Sequence, residues 1–150
     1  CLLSRGLGDV YKRQRLYMIK GNHDRYLKES EFNKERFVWI KPYAEMHDNR
    51  RKVVLSHYPI FCYNGQYRRN KKGEPLTYML YGHVHDTLDE QLVRQFCQIT
   101  RQTKKQGKYD EEPLPIPCNM LNCFCMYSDY IPRTLDEWID YYSLGEDRRK

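Results

Sequence analysis

Four of the five histidines in this 150-residue chain stand where side chains can be aimed at a common point. They lie in three short motifs: Gly21-Asn22-His23-Asp24, Ser56-His57-Tyr58-Pro59 and Gly82-His83-Val84-His85. Each motif follows a short apolar run and sits beside Gly, Pro or Ser, so each reads as a loop leaving a strand. Neutral imidazole is the commonest metal ligand, and a loop anchored on a rigid strand can hold it in place. An Asn carbonyl oxygen can ligate a hard or borderline cation, and an adjacent His can act as an acid or polarise a phosphate. His83 and His85 are two residues apart, so on an extended segment their side chains share one side. They could reach two neighbouring ions or grip one. Taken singly, each motif has a plainer reading: a Gly-Asn turn, a hydrogen-bonded structural His57, a solvent-facing His-x-His pair. His47, in a polar turn, is assigned no role.

The elements that must carry these loops can be read from the surrounding pattern. Arg15 to Lys20 is a short β-rich run that ends at Gly21. Tyr26 to Arg36 is charged and fits a short helix. Val38 to Met46 contains Pro42, so it is an edge or broken strand, and His47 to Arg50 is a turn. Lys52 to Ser56 and Leu76 to Tyr81 are buried-type strands with little polar alternation. Tyr63 to Pro75 is a polar loop between them. Thr87 begins a capping box, with Leu88, Leu92, Phe96 and Ile99 at helical spacing behind it. Arg101 to Pro117 is a polar connector, and Asn119 to Tyr127 is a strand on which Cys123 and Cys125 would share a face. Thr134 begins a second capping box, followed by Leu135, Trp138, Ile139 and Tyr142 on one helical face. Strands alternating with short helices imply an α/β fold. In open α/β sheets, ligands sit beyond the carboxyl ends of strands, where the histidines fall.

Composition bounds the remaining possibilities. A length of 150 residues suits one domain with its own core. No apolar run approaches the ~18 residues that would suggest a membrane span, and no secretory signal is evident, so a cytoplasmic protein is expected. The six cysteines form no Cys-x-x-Cys pair and read as reduced thiols. The net charge of +6 is spread over scattered clusters such as Arg68 to Lys72 and Arg148 to Lys150 rather than gathered in a stripe.

The three histidine motifs, in this order and each after a strand, resemble the calcineurin-like metallophosphoesterase family, as does the closing run Asp129 to Glu137. The likeness spans most of Arg15 to Tyr142. It implies a β-sandwich flanked by helices, with two divalent ions at the strand ends drawn from Mn, Fe, Zn and Ni. On this likeness Asn22, His57 and His83 would ligate one ion and His85 the other. His23 would be the catalytic histidine, oriented by Asp24. The implied reaction is hydrolysis of a phosphomonoester or phosphodiester by metal-activated water. Substrates would be phosphorylated small molecules, nucleotides or phosphoproteins. Arg68 and Arg69, in the Tyr63 to Pro75 loop, are candidates for holding a further phosphate.

The family pattern also contains Asp-x-His and Gly-Asp-x-x-Asp ahead of the Gly-Asn-His-Asp motif, and this chain shows neither. Gly8-Asp9 lies too near Gly21 to hold the intervening helix and strand, so Asp9 is rejected as a bridging carboxylate. Residues 1–14 resemble a sequencing-adapter scar and are read as non-native. Without their net +2, the rest of the chain carries +4 of the total +6. Residues 15–144 then read as the C-terminal part of a single domain lacking its N-terminal strands, and 145–150 as a charged tail. A chain of that kind should bind metal poorly, hydrolyse little, and expose an apolar edge at Leu16 to Ile19. The competing reading is a non-catalytic metal- or nucleic-acid-binding module, suggested by basic clusters and 14 tyrosines.

Overall fold

The computed structural model describes residues 15–108 and 110–144. The adapter-like segment 1–14, with Asp9, and the charged tail 145–150 lie outside the described residues. Among these residues the fold is mixed α/β, built from a two-stranded sheet, a four-stranded sheet, a small two-stranded arm and two α-helices.

Strand β1 (Leu16–Ile19) pairs in parallel with β2 (Phe37–Lys41), and Tyr17 meets Trp39 at a ring-centroid distance of 5.2 Å. The other edge of β1 has no strand partner among the described residues, and none of its side chains is fully buried. The single helix expected over Tyr26 to Arg36 is replaced by two 3-10 turns, Arg25–Lys28 and Lys34–Arg36. Leu27 is the only buried residue of the two turns, and Asn33 accepts the Glu35 amide at 3.0 Å. A segment with one apolar anchor and a competing side-chain cap has little reason to propagate an α-helix.

Pro42 divides the next extended run as its missing N–H requires. Before it lies β2; after it lies β3 (Tyr43–Asp48), which belongs to the four-stranded sheet. Strand β3 pairs antiparallel with β4 (Arg51–Ser56) across a two-residue turn, Asn49 and Arg50, at φ 46° and 69°. Left-handed backbone at both central residues matches the twist of the flanking strands. Strand β4 then pairs in parallel with β5 (Thr77–Tyr81), and β5 in parallel with β8 (Met120–Asn122), giving the order β3-β4-β5-β8. A small arm of β6 (Lys104–Lys105) and β7 (Leu114–Pro115) lies within the connector.

Both faces of the four-stranded sheet are covered. Val54, Met79, Tyr81 and Met120 face helix α1 (Leu88–Gln102), where they join Val93 and Cys97. Tyr78 and Leu121, one residue out of phase, meet Trp138 of α2 (Leu135–Ser143), with Leu80, Leu135, Ile139 and Tyr142 around them. Alternation along β5 and β8 thus feeds two cores. Helix α2 begins as expected: Thr134 and Glu137 form a reciprocal capping box, and Trp138 is buried.

Helix α1 departs from expectation. Its buried residues are Glu90, Val93 and Cys97, while Leu88, Leu92 and Ile99 are exposed. The Thr87 hydroxyl donates to the Val84 carbonyl at 2.6 Å instead of capping the helix. Strand β8 is shorter than expected. It stops at Asn122, and a 3-10 turn over Cys125–Ser128 replaces the rest, so Cys123 and Cys125 do not share a strand face. The five described cysteines are free, and burial pushes the Cys123 thiol up to about 12. Among the described residues, no helix is long and apolar enough to cross a membrane.

Candidate metal centre

The loops after β1, β4 and β5 meet at one place. Strands β4 and β5 are parallel neighbours, so both deliver their following loops to the same end of the sheet. The Gly82 amide donates to the His57 carbonyl at 3.1 Å and ties those two loops together. The β1 loop comes in against His57: a Cβ on Gly21 would lie only 2.9 Å from Cε1 of that ring. Gly21 is needed here because the backbone touches an imidazole.

Three donor atoms converge as a result. His57 Nε2 lies 2.7 Å from Asn22 Oδ1 and 3.0 Å from His83 Nδ1. Tyr58 covers the pair, with ring centroids 5.0 Å from His57 and 4.3 Å from His83. Burial holds the His57 pKa below the usual imidazole value, and the His83 ring adds to this. Asp24 opposes the shift, while His23 and His85 reinforce it more weakly, so those rings lie within electrostatic reach of His57. A depressed pKa keeps His57 neutral near pH 7, and only neutral imidazole can ligate a cation.

The His83–His85 segment is not extended. It forms a turn in which His83 and His85 both have left-handed backbone, at φ 22° and 49°. The expected alternation along an extended chain therefore does not apply. His85 points instead to Phe124, on which its ring stacks at 4.5 Å and 14°. His23 is exposed, and its carbonyl accepts the Arg25 amide at 2.7 Å. Asp24 does not orient His23 in this arrangement. Its Oδ2 accepts the Gly21 amide at 2.6 Å and closes the Gly21–Asp24 loop on itself. His47 projects from β3 as an exposed residue opposite Lys52.

The two arginines proposed to hold phosphate lie elsewhere. A parallel crossover leaves the carboxyl end of one strand and must return to the amino end of the next. Arg68 and Arg69 lie near that return: the Leu76 amide donates to the Arg68 carbonyl, and Gly65 touches Thr77 and Lys52 at the strand starts. Arg69 is also held by Asp110 and by the Pro115 carbonyl, which fastens the loop to the β6–β7 arm. These placements correct the expectation that the loop brings both cations to the histidines. Other basic residues are likewise engaged within the fold, Arg51 with Asp48 and Asp136, Lys52 with Glu45, and Arg94 with Glu90.

A polar group that the sequence did not suggest lies beneath the His83–His85 turn. Glu90 is 1% exposed and accepts from Tyr81 Oη at 2.7 Å, Asn122 Nδ2 at 2.9 Å and Arg94 Nε at 2.9 Å. Burial, then the Glu90 carboxylate, pushes the Tyr81 phenol up. The available signal was phase: Glu90, Val93 and Cys97 fall on one helical face. Beside His85, a cleft of about 1110 Å³ opens between Asp86, Arg94, Phe124, Tyr127, Arg133 and Tyr141.

The donor set fits a divalent ion of borderline hardness. Ligands about 2.0–2.2 Å from a metal sit about 3 Å apart when adjacent around it, so the spacings of 2.7 and 3.0 Å need little adjustment. Among the described residues, no three His, Cys, Asp or Glu side chains are grouped to hold an ion by themselves; the third donor is the Asn22 amide oxygen. Comparisons with family models, curated proteins and solved structures give no match to this chain.

Proposed function

We propose that this chain carries part of a two-metal phosphoesterase centre and acts in metal-dependent hydrolysis of phosphate esters. The observation that carries the reading is the meeting of Asn22 Oδ1, His57 Nε2 and His83 Nδ1 at 2.7 and 3.0 Å, from three loops after three strands. Such loops are where α/β folds place ligands. On this reading the two sheets correspond to the halves of a metallophosphoesterase-type sandwich.

Divalent ions held there would polarise the phosphate and lower the pKa of a water. The chain's own residues supply the rest. Asn22, His57 and His83 present an amide oxygen and two ring nitrogens for one ion, and His85 serves the other. The exposed His23 imidazole is free to approach the leaving oxygen and donate a proton to it. Tyr58 shields the His57 and His83 rings from bulk water, and the cleft beside His85 leaves room for the esterified group. Asp24 acts on His23 only indirectly, by fixing the Gly21–Asp24 loop.

Among the described residues, one ion finds three donor atoms and the other little beyond His85. Weak metal binding and slow hydrolysis are therefore expected. Mn2+ uptake should be followed by electron paramagnetic resonance, and hydrolysis of p-nitrophenyl phosphate and a bis ester with and without EDTA. Uptake that disappears in His57→Ala, with any turnover abolished by EDTA, is the expected result. Mn2+ uptake identical in His57→Ala and the unaltered chain would sink the proposal.

A further inference from the structure

His85 stands in a left-handed backbone position at φ 49°. Such a position costs a non-glycine residue about 1–2 kcal/mol and persists only where the surroundings impose it. Thr87 and Tyr127 brace the neighbouring Val84 and Asp86, and one side chain bonds His85 itself. Asn122 is fully buried at the end of β8, and both its amide hydrogens and its oxygen are engaged. Nδ2 donates to the His85 carbonyl at 2.8 Å and to Glu90 Oε2 at 2.9 Å. Oδ1 accepts the Phe124 amide at 3.1 Å. The Asn122 backbone is fixed as well, since the Tyr142 hydroxyl accepts from its N–H and donates to its carbonyl, both at 3.0 Å.

One amide thus grips His85 by two routes. It holds the backbone through the carbonyl. It also holds the ring plane, because the Phe124 amide it binds belongs to the residue whose ring stacks on His85 at 4.5 Å. Glu90 anchors the grip: its carboxylate is held by Tyr81 and Arg94 as well as by Asn122, so the amide cannot rotate without leaving a buried charge short of a partner. We infer that Asn122, backed by Glu90, is the positioning residue for His85. It fixes the direction of that imidazole before any ligand arrives. This inference rests on the metal-centre reading for its purpose, but not for its geometry.

The test has a metal-free arm and a metal arm. In the metal-free protein, nuclear Overhauser contacts between the His85 and Phe124 ring protons report the stack directly. They should be present in the unaltered chain and lost in Asn122→Ala, with near-ultraviolet circular dichroism confirming that the variant is folded. In the metal arm, Mn2+ affinity is measured for His85→Ala, Asn122→Ala and the double variant. Outer-shell partners of this kind are worth about 10–100-fold in affinity, so Asn122→Ala should weaken binding about 10-fold. If Asn122 acts through His85, the double variant should bind no more weakly than His85→Ala alone. Retained ring contacts in folded Asn122→Ala, or losses that add in the double variant, would overturn the inference. Should Asn122→Ala not fold, Phe124→Leu keeps the backbone bond and removes only the stack. It should show the same non-additivity with His85→Ala, and unchanged affinity there counts against the inference. If the unaltered chain takes up no Mn2+, the proposed function fails, while the metal-free ring contacts still decide the positioning.

Discussion

Gly21→Ala is the sharpest probe of the site, because one methyl group would strike one imidazole. An ideal Cβ at this position would lie 2.9 Å from Cε1 of His57, 3.0 Å from Nδ1 and 3.3 Å from Nε2. Ordinary carbon contacts lie at about 3.5–4.0 Å, so the ring must retreat by about 0.5 Å. It has little room to do so, with Tyr58 and His83 against it at 5.0 and 4.9 Å between centroids. Nε2 would then leave the positions that bring it to Asn22 and His83. A misplacement of 1 Å in such a site can cost about 100-fold; half of that suggests about 10-fold in Mn2+ affinity, or about 1.4 kcal/mol. Stability should change by a similar amount. Alanine restricts the unfolded chain by about 0.4–1 kcal/mol in favour of folding, and overpacking costs about 1–3 kcal/mol against it. A modest net loss of 1–2 kcal/mol is expected. Long-range proton–nitrogen spectra of the imidazoles, Mn2+ titration and thermal melts would read the three quantities. Unshifted His57 and His83 ring nitrogens in a folded Gly21→Ala would refute the claim that Gly21 is there to admit His57.

Other substitutions test the frame around the site. Arg69→Ala should leave Mn2+ affinity unchanged and speed hydrogen exchange at the β6–β7 arm, since Arg69 fastens that arm through Asp110 and Pro115; a large loss of affinity would restore Arg69 to the site. Met79, fully buried on β5 in the cluster with Val93 and Cys97 of α1, should lose about 2–5 kcal/mol as Met79→Ala in chemical denaturation, and a loss below about 1 kcal/mol would mean the core is looser than described. Lys52, then Tyr43 and Asn64, hold the Glu45 carboxyl at about 2, below its ordinary value of 4.5. A depressed acid stabilises the fold above its unfolded pKa, and that contribution falls away as pH drops from about 4.5 to about 2. Melting temperature over this range should fall more steeply for the unaltered chain than for Glu45→Gln, and parallel curves would discount the Lys52–Glu45 pair.

The parts of the fold that were legible in the sequence were those set by local rules. Strands β4 and β5 show continuous apolar character because both their faces are covered, and α2 announces itself through a capping box that the structure closes. The three histidine loops were legible because each follows a strand. What sequence could not decide was set by distant partners. Helix α1 carries two apolar stripes, and the one containing Val93 and Cys97 is buried because Glu90 on the same face binds Tyr81 and Asn122, the latter 32 residues away. The orientation of His85 is hidden from the sequence for a related reason. Period-two reasoning assumes an extended chain, and Asn122 holds this one in a turn. Arg69 looked available because its partner, Asp110, is 41 residues distant.

The break at Pro42 has a topological consequence. It sends one extended run from the two-stranded sheet into the four-stranded sheet, and the donors end up on opposite sides of that passage. Asn22 follows β1 in the first sheet, while His57 and His83 follow strands of the second. An ion shared by Asn22 and His57 would close a chain loop of 35 residues. A permanent link across a loop of that size removes about 3–4 kcal/mol of freedom from the unfolded chain. The centre would then act as a reversible staple between the two sheets, and slower hydrogen exchange in β1 and β2 on adding Mn2+ would reveal it, whereas unchanged exchange would show that the sheets hold together without it.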